Sequence, residues 1–331
     1  HAAGVIITAR PIREISAVYF DRDIPVTHLD MYALEDLGVL KIDLLGLRTL
    51  TLLQRMEELV KKRDPKFSLP EIPSHDEPTW DVLSEGRNLG IFQLESELFG
   101  ELLRKLKPRS FRDLVALLAL GRPGPLTMFP EYVARRDQQD EREYSHPVLA
   151  EILGETYGLI LYQEQVMLIA SRIGGFSLGE ADLLRSALAK DDPRAANVWK
   201  ERFTSGAQTH SGLSKRAAEK LFAKIGQFSG YAFNKAHSVS YAWITWQAAY
   251  MKTHYPGEFF VTLLNQGSAG KERRRYLLDA RSLGLEVLPP SVVHSDIQAT
   301  LEGDKLRLGL STSRNITPQS AEAIVGKFSP G

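Results

Sequence analysis

The hydrophobic pattern changes from the period of a strand to that of a helix within residues 39–51. Side chains alternate across a β-strand, so Leu40 and Leu44 fall on one face while Lys41 and Asp43 fall on the other. We expect the apolar face to belong to the core and Asp43 to project beside the sheet. Asp43 is therefore either a functional carboxylate or the partner of Lys41 in an ordinary ion pair.

The remaining pattern is mainly helical. Candidate strands cover residues 5–8 and 39–44, and apolar side chains recur near helical period from Thr49 onward. Prolines between residues 65 and 78 predict an extended linker, and residues 110–120 predict another helix. The sequence thus predicts a predominantly α fold with a small α/β region at its N-terminus.

Charge is balanced overall but unevenly distributed. The 331 residues contain 41 Lys and Arg and 41 Asp and Glu, which argues at first against a nucleic-acid partner. Basic residues nevertheless cluster at 104–109 and 271–275, and acidic residues cluster at 71–81 and 137–143. A segregated surface can still present a positive channel. The alternative for each cluster is a solvated helix face or loop, and this is the preferred interpretation of 137–143.

Composition excludes several classes of site. The absence of cysteine excludes disulfides and thiolate metal sites, and the eight histidines show no ligand spacing. The longest apolar run, residues 114–120, is far short of the roughly 18 residues that span a bilayer. We expect a soluble cytoplasmic protein with two or three structural units, cut from a longer chain because it opens within a motif.

Several polar motifs follow one another in a fixed order. The sequence contains HAAG at 1–4, LKIDLLG at 40–46, GIFQLES at 90–96, RPGP at 122–125, ETYG at 155–158, YQEQV at 162–166, GEADLLR at 179–185 and FNKAHS at 233–238. Together they resemble the alpha subunit of bacterial DNA polymerase III, a C-family replicative DNA polymerase. The resemblance implies the C-terminal part of a palm at 1–48, a helical fingers domain at 49–268 and the start of a helix-hairpin-helix region at 269–331.

The resemblance also implies template-directed addition of deoxynucleotides to a primer 3′ end, with two Mg²⁺ ions in the complete site. Asp43 matches the third catalytic and metal-binding carboxylate of the family. The other two come from an upstream Asp-x-Asp strand that has no equivalent here, since Asp21 and Asp23 are interpreted as a turn. We therefore expect this fragment to bind metal poorly and to be inactive alone.

Arg122, Arg185 and Lys190 are candidate nucleotide-binding residues. The proline-rich RPGP turn would hold Arg122 with little rotational freedom, although the turn could simply separate two helices. In the family, the helix that carries Arg185 and Lys190 meets the triphosphate of the incoming nucleotide. A solvated pair of Asp182 with Arg185 is the alternative interpretation of that helix.

The helix that carries Arg185 begins with a predicted capping box at residues 177–180 and continues to about Lys190. Its expected buried stripe is made of apolar side chains: Leu183, Leu184, Ala187 and Leu188. The family pattern has a second arginine where this chain has Ser186, and a second lysine where it has Asp191. Each lost charge-assisted contact is worth roughly 1.5 to 3 kcal/mol, so weaker nucleotide binding is expected.

Lys235 and His237 are the remaining nucleotide-binding candidates. They are expected to precede a helix that ends before Pro256, where backbone amides favour an anion. Capping of that helix by Asn234 or Ser238 is the alternative. An aromatic stripe at Trp243, Trp246 and Tyr250 is interpreted as core.

The C-terminal part predicts a helix opening at residues 271–275, a short strand at 287–290 and a last helix from Pro318 to about Lys327. It resembles the start of a helix-hairpin-helix module. Residues 311–320 lack the hairpin glycine that gives backbone amides to DNA phosphate in the family, so DNA binding by this segment is doubtful.

The expected partners are primer–template DNA and deoxynucleoside triphosphates, with the sliding clamp and other replisome subunits bound through regions outside this sequence. No membrane partner is expected. The alternative is a noncatalytic fingers-like module that binds nucleic acid or a replisome protein. A Mg²⁺-dependent phosphohydrolase would require a carboxylate or histidine cluster that the sequence does not show.

Overall fold

The computed structural model describes residues 4–138, 144–189, 193–266, 270–313 and 315–328. Helices dominate these residues, which confirms the predominantly α prediction. The chain divides into two compact units, His1–Thr51 and Leu52–Gly331. No helix of the described ranges is both long and apolar enough to cross a membrane.

The first unit contains two small antiparallel sheets and one short helix. Its elements are β1 (Gly4–Ile7), β2 (Val18–Asp21), β3 (Ile24–Thr27), α1 (Met31–Asp36) and β4 (Leu40–Asp43). β1 pairs with β4, so that Gly4 lies opposite Asp43, and β2 pairs with β3. Asp23 lies in the turn before β3, as the sequence predicted, whereas Asp21 was predicted in that turn and is instead the last residue of β2.

The apolar face of β4 is not a core face, contrary to the expectation from its alternation. Leu40 is 61% exposed and Leu44 is 65% exposed. A two-stranded sheet of four residues per strand buries little surface by itself, so alternation alone does not create a core layer.

Helices make up most of the second unit. In chain order they are α2 (Arg48–Lys61), which begins just before the unit boundary, α3 (Glu77–Ser84), α4 (Glu97–Leu106), α5 (Phe111–Leu120), α6 (Phe129–Asp137), α7 (Pro147–Leu153), α8 (Gln163–Arg172), α9 (Leu178–Ala189), α10 (Pro193–Ser211), α11 (Lys215–Ser229), α12 (Lys235–His254), α13 (Pro256–Leu264) and α14 (Lys271–Ser282). The helix predicted at 110–120 is α5, with Ser110 as its N-cap and Gly121 as its C-cap.

The predicted linker between residues 65 and 78 is packed instead. Phe67, Leu69 and Ile72 are buried against the surrounding helices, and a 3₁₀ turn covers Leu69–Glu71. Pro78 lies in the first turn of α3, where its missing N–H is not needed. Prolines correctly marked breaks in regular structure here, but the broken segment still contributes apolar side chains to the core.

Two hydrophobic cores stabilise the second unit. The first gathers side chains from α2 to α6 and α12 to α14, and the second is built from α7 to α11 with flanking loops. Trp246 is fully buried and lies 4.2 Å from Trp80 between ring centroids. Trp243 and Tyr250 are partly buried against the same core, which confirms that this aromatic stripe is structural.

Lys252 is a buried cation that the sequence pattern did not single out. Its Nζ donates to the carbonyls of Arg87 and Leu89, both at 2.8 Å, and to Asp279 Oδ2 at 2.6 Å. Burial lowers the pKa of Lys252, while the Asp279 carboxylate opposes that shift. The ammonium thus fixes the chain just before the GIFQLES motif to α12 and α14.

The C-terminal residues form a three-stranded sheet and a last helix. The strands are β5 (Val287–Leu288), β6 (Thr300–Glu302) and β7 (Lys305–Arg307), in the order β5-β7-β6, and the helix is α15 (Pro318–Phe328). The strand at 287–290 and the helix starting at Pro318 were both predicted. Asn315 adopts a φ of 68°, a left-handed conformation that asparagine tolerates better than most residues other than glycine.

Candidate functional site

The starts of α8 and α12 lie side by side because their preceding residues pair as a short parallel bridge. Phe233 N donates to Leu161 O at 2.9 Å, and Gln163 N donates to Phe233 O at 2.9 Å. Two motifs that are distant in sequence, YQEQV and FNKAHS, therefore meet at one place. Their helix N-termini are brought together with them.

Asn234 caps α12, so Lys235 and His237 lie within the first helical turn and do not precede the helix. The Asn234 side chain accepts from His237 N at 2.7 Å, and the intrahelical pattern begins at Lys235. Ser238 is fully buried and donates to Val115 O at 2.7 Å, which ties this turn to α5. The capping alternative is correct for Asn234.

Lys235 is already neutralised by a carboxylate. Its Nζ lies 2.8 and 2.6 Å from the two oxygens of Glu155, and its backbone N donates to both oxygens of Glu164 at 3.0 Å. The ammonium also lies 5.6 Å from the centroid of the Tyr162 ring. Burial raises the pKa of the Tyr162 hydroxyl, and Glu155 and Glu164 add to that shift.

Arg122 is fixed by neutral groups and keeps its charge uncompensated. Nε donates to Ala119 O at 3.0 Å, one Nη donates to Tyr231 O at 2.9 Å, and the guanidinium lies 4.1 Å from the Phe233 ring centroid. Within the described ranges, no carboxylate lies within ion-pair distance of Arg122. Burial lowers the pKa of this guanidinium. The arrangement leaves a half-buried positive charge that an anion would stabilise.

His237 extends this region with an exposed imidazole between two aromatic rings. Its ring centroid lies 5.4 Å from Phe233 and 4.0 Å from Tyr241. Phe92 of the GIFQLES motif lies 5.2 Å from Tyr241. We use the name α12 site for Arg122, Lys235 and His237 with the groups that hold them.

The first turn of α9 has the predicted capping box. Glu180 N donates to Ser177 Oγ at 3.3 Å, and Ser177 N donates to Glu180 Oε2 at 2.9 Å. Arg202 also donates to the Glu180 carboxylate. These bonds, the Ser177 amide first, lower the pKa of Glu180 to about 2.

Leu183 was wrongly predicted to lie in the buried stripe of α9. It is 61% exposed, whereas Ala181 and Leu184 are fully buried in the second core. The buried side of α9 therefore includes Ala181 and Leu184 but not Leu183, and α8, α10 and α11 all contact this helix. Apolar spacing in the sequence predicts that a helix has one buried face. The elements that pack against the helix decide which residues belong to that face.

Arg185 makes local contacts on α9. Its Nε lies 2.9 Å from Asp182 Oδ1, one Nη lies 2.8 Å from the same oxygen, and that Nη is 3.2 Å from Ser186 Oγ. The structure thus shows the solvated Asp182–Arg185 pair that the sequence left open. The nucleotide role of Arg185 stays a prediction, and Lys190 lies outside the described residues.

Asp43 forms the other ion pair that the sequence left open. Lys41 Nζ lies 2.6 Å from Asp43 Oδ1 and 2.8 Å from Oδ2, and the Asp43 side chain is 43% exposed at the end of β4. In the part of the chain that the structure describes, no group of three or more His, Cys, Asp or Glu side chains could hold a metal ion. Asp43 and its described neighbours therefore do not form a complete metal site.

Three polar residues inside the motifs were not recognised from sequence as parts of the site. Glu155 and Glu164 hold Lys235, and Gln165, which follows Glu164 in the chain, is buried. Gln165 Oε1 accepts from Leu161 N at 2.9 Å and Tyr162 N at 3.0 Å, while its Nε2 donates to Thr156 Oγ1 at 2.8 Å. A glutamine directly before the apolar run 166–170 was the available signal for this support.

Three families match separate parts of the chain. Residues 49–211 match the bacterial DNA polymerase III alpha subunit finger domain, residues 1–46 match the bacterial DNA polymerase III alpha NTPase domain, and residues 284–327 match a helix-hairpin-helix motif. The matches follow the order in which the motifs occur. The first match contains Arg122 and Arg185.

Curated relatives named DNA polymerase III subunit alpha match nearly the whole chain. The protein of Aquifex aeolicus is 42% identical over 330 residues, covering 98% of this chain and 28% of the relative. Those of Thermus aquaticus and Bacillus subtilis are 41% and 39% identical, each over 98% of this chain and 27% and 29% of the relative. The chain thus spans little more than a quarter of these proteins, and at this level of similarity it belongs to the bacterial DNA polymerase III alpha subunit family.

Proposed function

We propose that this chain is part of a template-directed DNA polymerase of chromosomal replication, and that the α12 site binds the phosphates of the incoming deoxynucleoside triphosphate. The observation that carries the proposal is the uncompensated, half-buried charge of Arg122. Arg122 is held in one pose by two carbonyls and a ring, so binding a phosphate costs little further ordering. Family membership supports the polymerase assignment, because the relatives carry that name.

Each candidate contributes differently to this role. Arg122 supplies a rigid cation, and His237 supplies an exposed imidazole at the capped N-terminus of a 20-residue helix. Lys235 is neutralised by Glu155 at rest, so it would contact a phosphate only by sharing its donors. Arg185 and Lys190 of α9 would complete the set of cations.

Asp43 would supply one carboxylate to Mg²⁺. The described residues do not form a complete magnesium site, so every step assigned to this chain is binding and positioning. We propose that the remaining carboxylates lie outside this sequence and that the fragment alone is inactive. Residues 1–48 would then be the end of a palm, 49–268 a fingers domain and 269–331 the start of a helix-hairpin-helix region.

The proposed partners are primer–template DNA and deoxynucleoside triphosphates in the cytoplasm, with the sliding clamp and other replisome subunits bound elsewhere on the complete protein. A noncatalytic nucleic-acid-binding module is the second candidate. The neutralised state of Lys235 and Arg185 favours it, because paired cations attract a triphosphate less than free ones do.

The test is Asp43→Asn in the complete protein. Extension of a primer should be abolished, because a neutral amide binds Mg²⁺ far more weakly than a carboxylate, while primer–template affinity should stay within about twofold. Gel-based primer extension and fluorescence anisotropy with labelled DNA measure the two quantities.

Asp23→Asn is the matched control, since Asp23 lies in the turn before β3 in the same unit and is also exposed. It should leave extension unchanged. Normal extension by Asp43→Asn would refute the assignment of Asp43, and absence of extension by the unmodified complete protein would favour the noncatalytic module.

A further inference from the structure

A second cluster of cations surrounds a cavity of about 750 Å³ in the second unit. Four basic side chains line it, namely Arg135, Arg216, Lys220 and Lys224. None of the described lining residues is acidic, and the lining does not include Arg122, Lys235 or His237. This cation cavity is therefore distinct from the α12 site.

Two of these cations are gathered on one short piece of backbone. Lys224 Nζ donates to Gly158 O at 3.3 Å, and Arg135 Nη1 donates to Tyr157 O at 3.1 Å. The Gly158 carbonyl holds Lys224 without cancelling its charge. Glu131 pairs with Arg135 from the same helix but does not line the cavity.

The other cations form a stripe along α11. Arg216, Lys220 and Lys224 follow one another at a spacing of four residues, so they share one face of the helix. Like charges at this spacing repel each other. Arg216 and Lys220 have no ion-pair partner within the described ranges, so no described carboxylate relieves the repulsion.

Burial and chemistry also fit an anionic ligand. Burial lowers the pKa of Lys224, and Arg135 and Lys220 lower it further by repulsion, while Glu131 opposes the shift. Hydroxyl groups of Tyr144, Ser145 and Ser214 line the same cavity and can donate to an oxyanion. The cavity volume is within the range of small-molecule sites.

We propose that the cation cavity binds a chain of at least two phosphate groups, supplied either by a nucleic-acid strand or by a free polyphosphate. Arg216 and Lys224 are eight residues apart on α11, about 12 Å along the helix axis, which is too long for one phosphate to contact both ends. The proposal concerns binding alone and does not depend on whether the chain takes part in polymerisation.

The experiment is residue-resolved acylation of lysines in the complete protein, read by mass spectrometry. The probes are primer–template DNA and sodium tripolyphosphate, added separately at concentrations about tenfold above their dissociation constants. Lys220 acylation should fall about tenfold with the bound probe, by mass action. Lys215, the neighbouring first residue of α11, does not line the cavity and serves as the internal control.

Protection by DNA alone identifies a nucleic-acid strand as the source of the phosphates, and protection by tripolyphosphate alone identifies a free polyphosphate. Unchanged Lys220 acylation with both probes overturns the proposal, as does equal protection of Lys215. Because the readout is chemical labelling of this cavity, its failure is distinguishable from a failure of primer extension.

A second measurement uses Lys220→Ala and Lys215→Ala, which remove the same charge from the same helix. If DNA is the protecting probe, Lys220→Ala should reduce the slope of log affinity against log salt concentration by about 0.7 to 0.9, as expected for one lost phosphate contact. If tripolyphosphate protects, Lys220→Ala should weaken its binding relative to Lys215→Ala. Equal effects of the two variants overturn the proposal.

Discussion

Arg122 and Arg185 were both predicted to bind nucleotide phosphates, yet the structure holds them in different ways. Arg122 is fixed by carbonyls of Ala119 and Tyr231, the latter 109 residues away in sequence. Arg185 is fixed by Asp182, three residues away on α9. The first contact set leaves the charge of the guanidinium available, and the second largely cancels it.

This difference shows that a cation's place in a motif does not decide how well it binds an anion. The groups that surround the cation decide it. A carbonyl orients a guanidinium and leaves its full charge for a ligand, whereas a carboxylate must first be displaced or share its partner. Lys235 resembles Arg185 in this respect, because Glu155 neutralises it. Arg122 should therefore dominate phosphate binding among the described candidates.

The largest effect is expected from Arg122→Ala in the complete protein. Loss of a charge-assisted contact of roughly 1.5 to 3 kcal/mol should lower kcat/KM for the incoming nucleotide about 10- to 150-fold. Steady-state primer extension at varied nucleotide concentration measures this change.

Arg122→Lys is the matched variant, since it keeps the charge and loses the fork that reaches both carbonyls. Thermal unfolding of both variants separates a loss of nucleotide contact from a loss of packing between the RPGP turn and the residues before α12. Wild-type nucleotide kinetics in a folded Arg122→Ala protein would remove Arg122 from the site.

A smaller effect is expected from Arg185→Ala. The guanidinium is already paired with an exposed carboxylate, and exposed pairs are worth about 0.2 to 1 kcal/mol, so kcat/KM should fall less than about fivefold. Asp182→Asn should have the opposite sign and lower the nucleotide KM, because it frees the charge of Arg185. The same extension assay measures both variants.

Ser186→Arg restores the second arginine of the family pattern and should also lower the nucleotide KM. No gain in nucleotide affinity would show that this divergence is compensated elsewhere in the protein. If Arg185→Ala lowered kcat/KM as much as Arg122→Ala does, the proposed difference between the two arginines would be wrong. The Asp182–Arg185 pair would then have to open when the nucleotide binds.

Local features of the two regions were readable from sequence, and long-range features were not. The capping box at Ser177 and Glu180 and the Asp182–Arg185 pair lie within one helical turn, so residue spacing alone indicates them. The Lys235–Glu155 pair joins residues 80 apart in sequence, which no periodicity indicates. The motifs placed the right segments in the site without revealing which charges cancel.

Burial was likewise predictable where it depends on local contacts and not where it depends on long-range packing. Ser110 and Gly121 bounded α5 as predicted, because caps act within a turn. Exposure of Leu183 and Leu40 was missed, because it depends on which element packs against each face and not on the residue itself. Lys252 is the extreme case, since three acceptors from two distant segments make its full burial possible.

The smallest expected effect concerns the first turn of α9, the helix that carries Arg185. The pKa of Glu180 is lowered from 4.5 to about 2, so the folded protein binds this proton less tightly than the unfolded chain. Its contribution to stability is therefore complete above pH 4.5 and is lost as the pH falls toward 2.

Glu180→Gln should lower the thermal unfolding midpoint relative to wild type at pH 5.5, and the difference should shrink by pH 3. Glu201→Gln, on an exposed position of α10, is the matched control and should show no such dependence. A pH-independent difference for Glu180→Gln would mean that packing, and not the ionised capping box, fixes the start of α9.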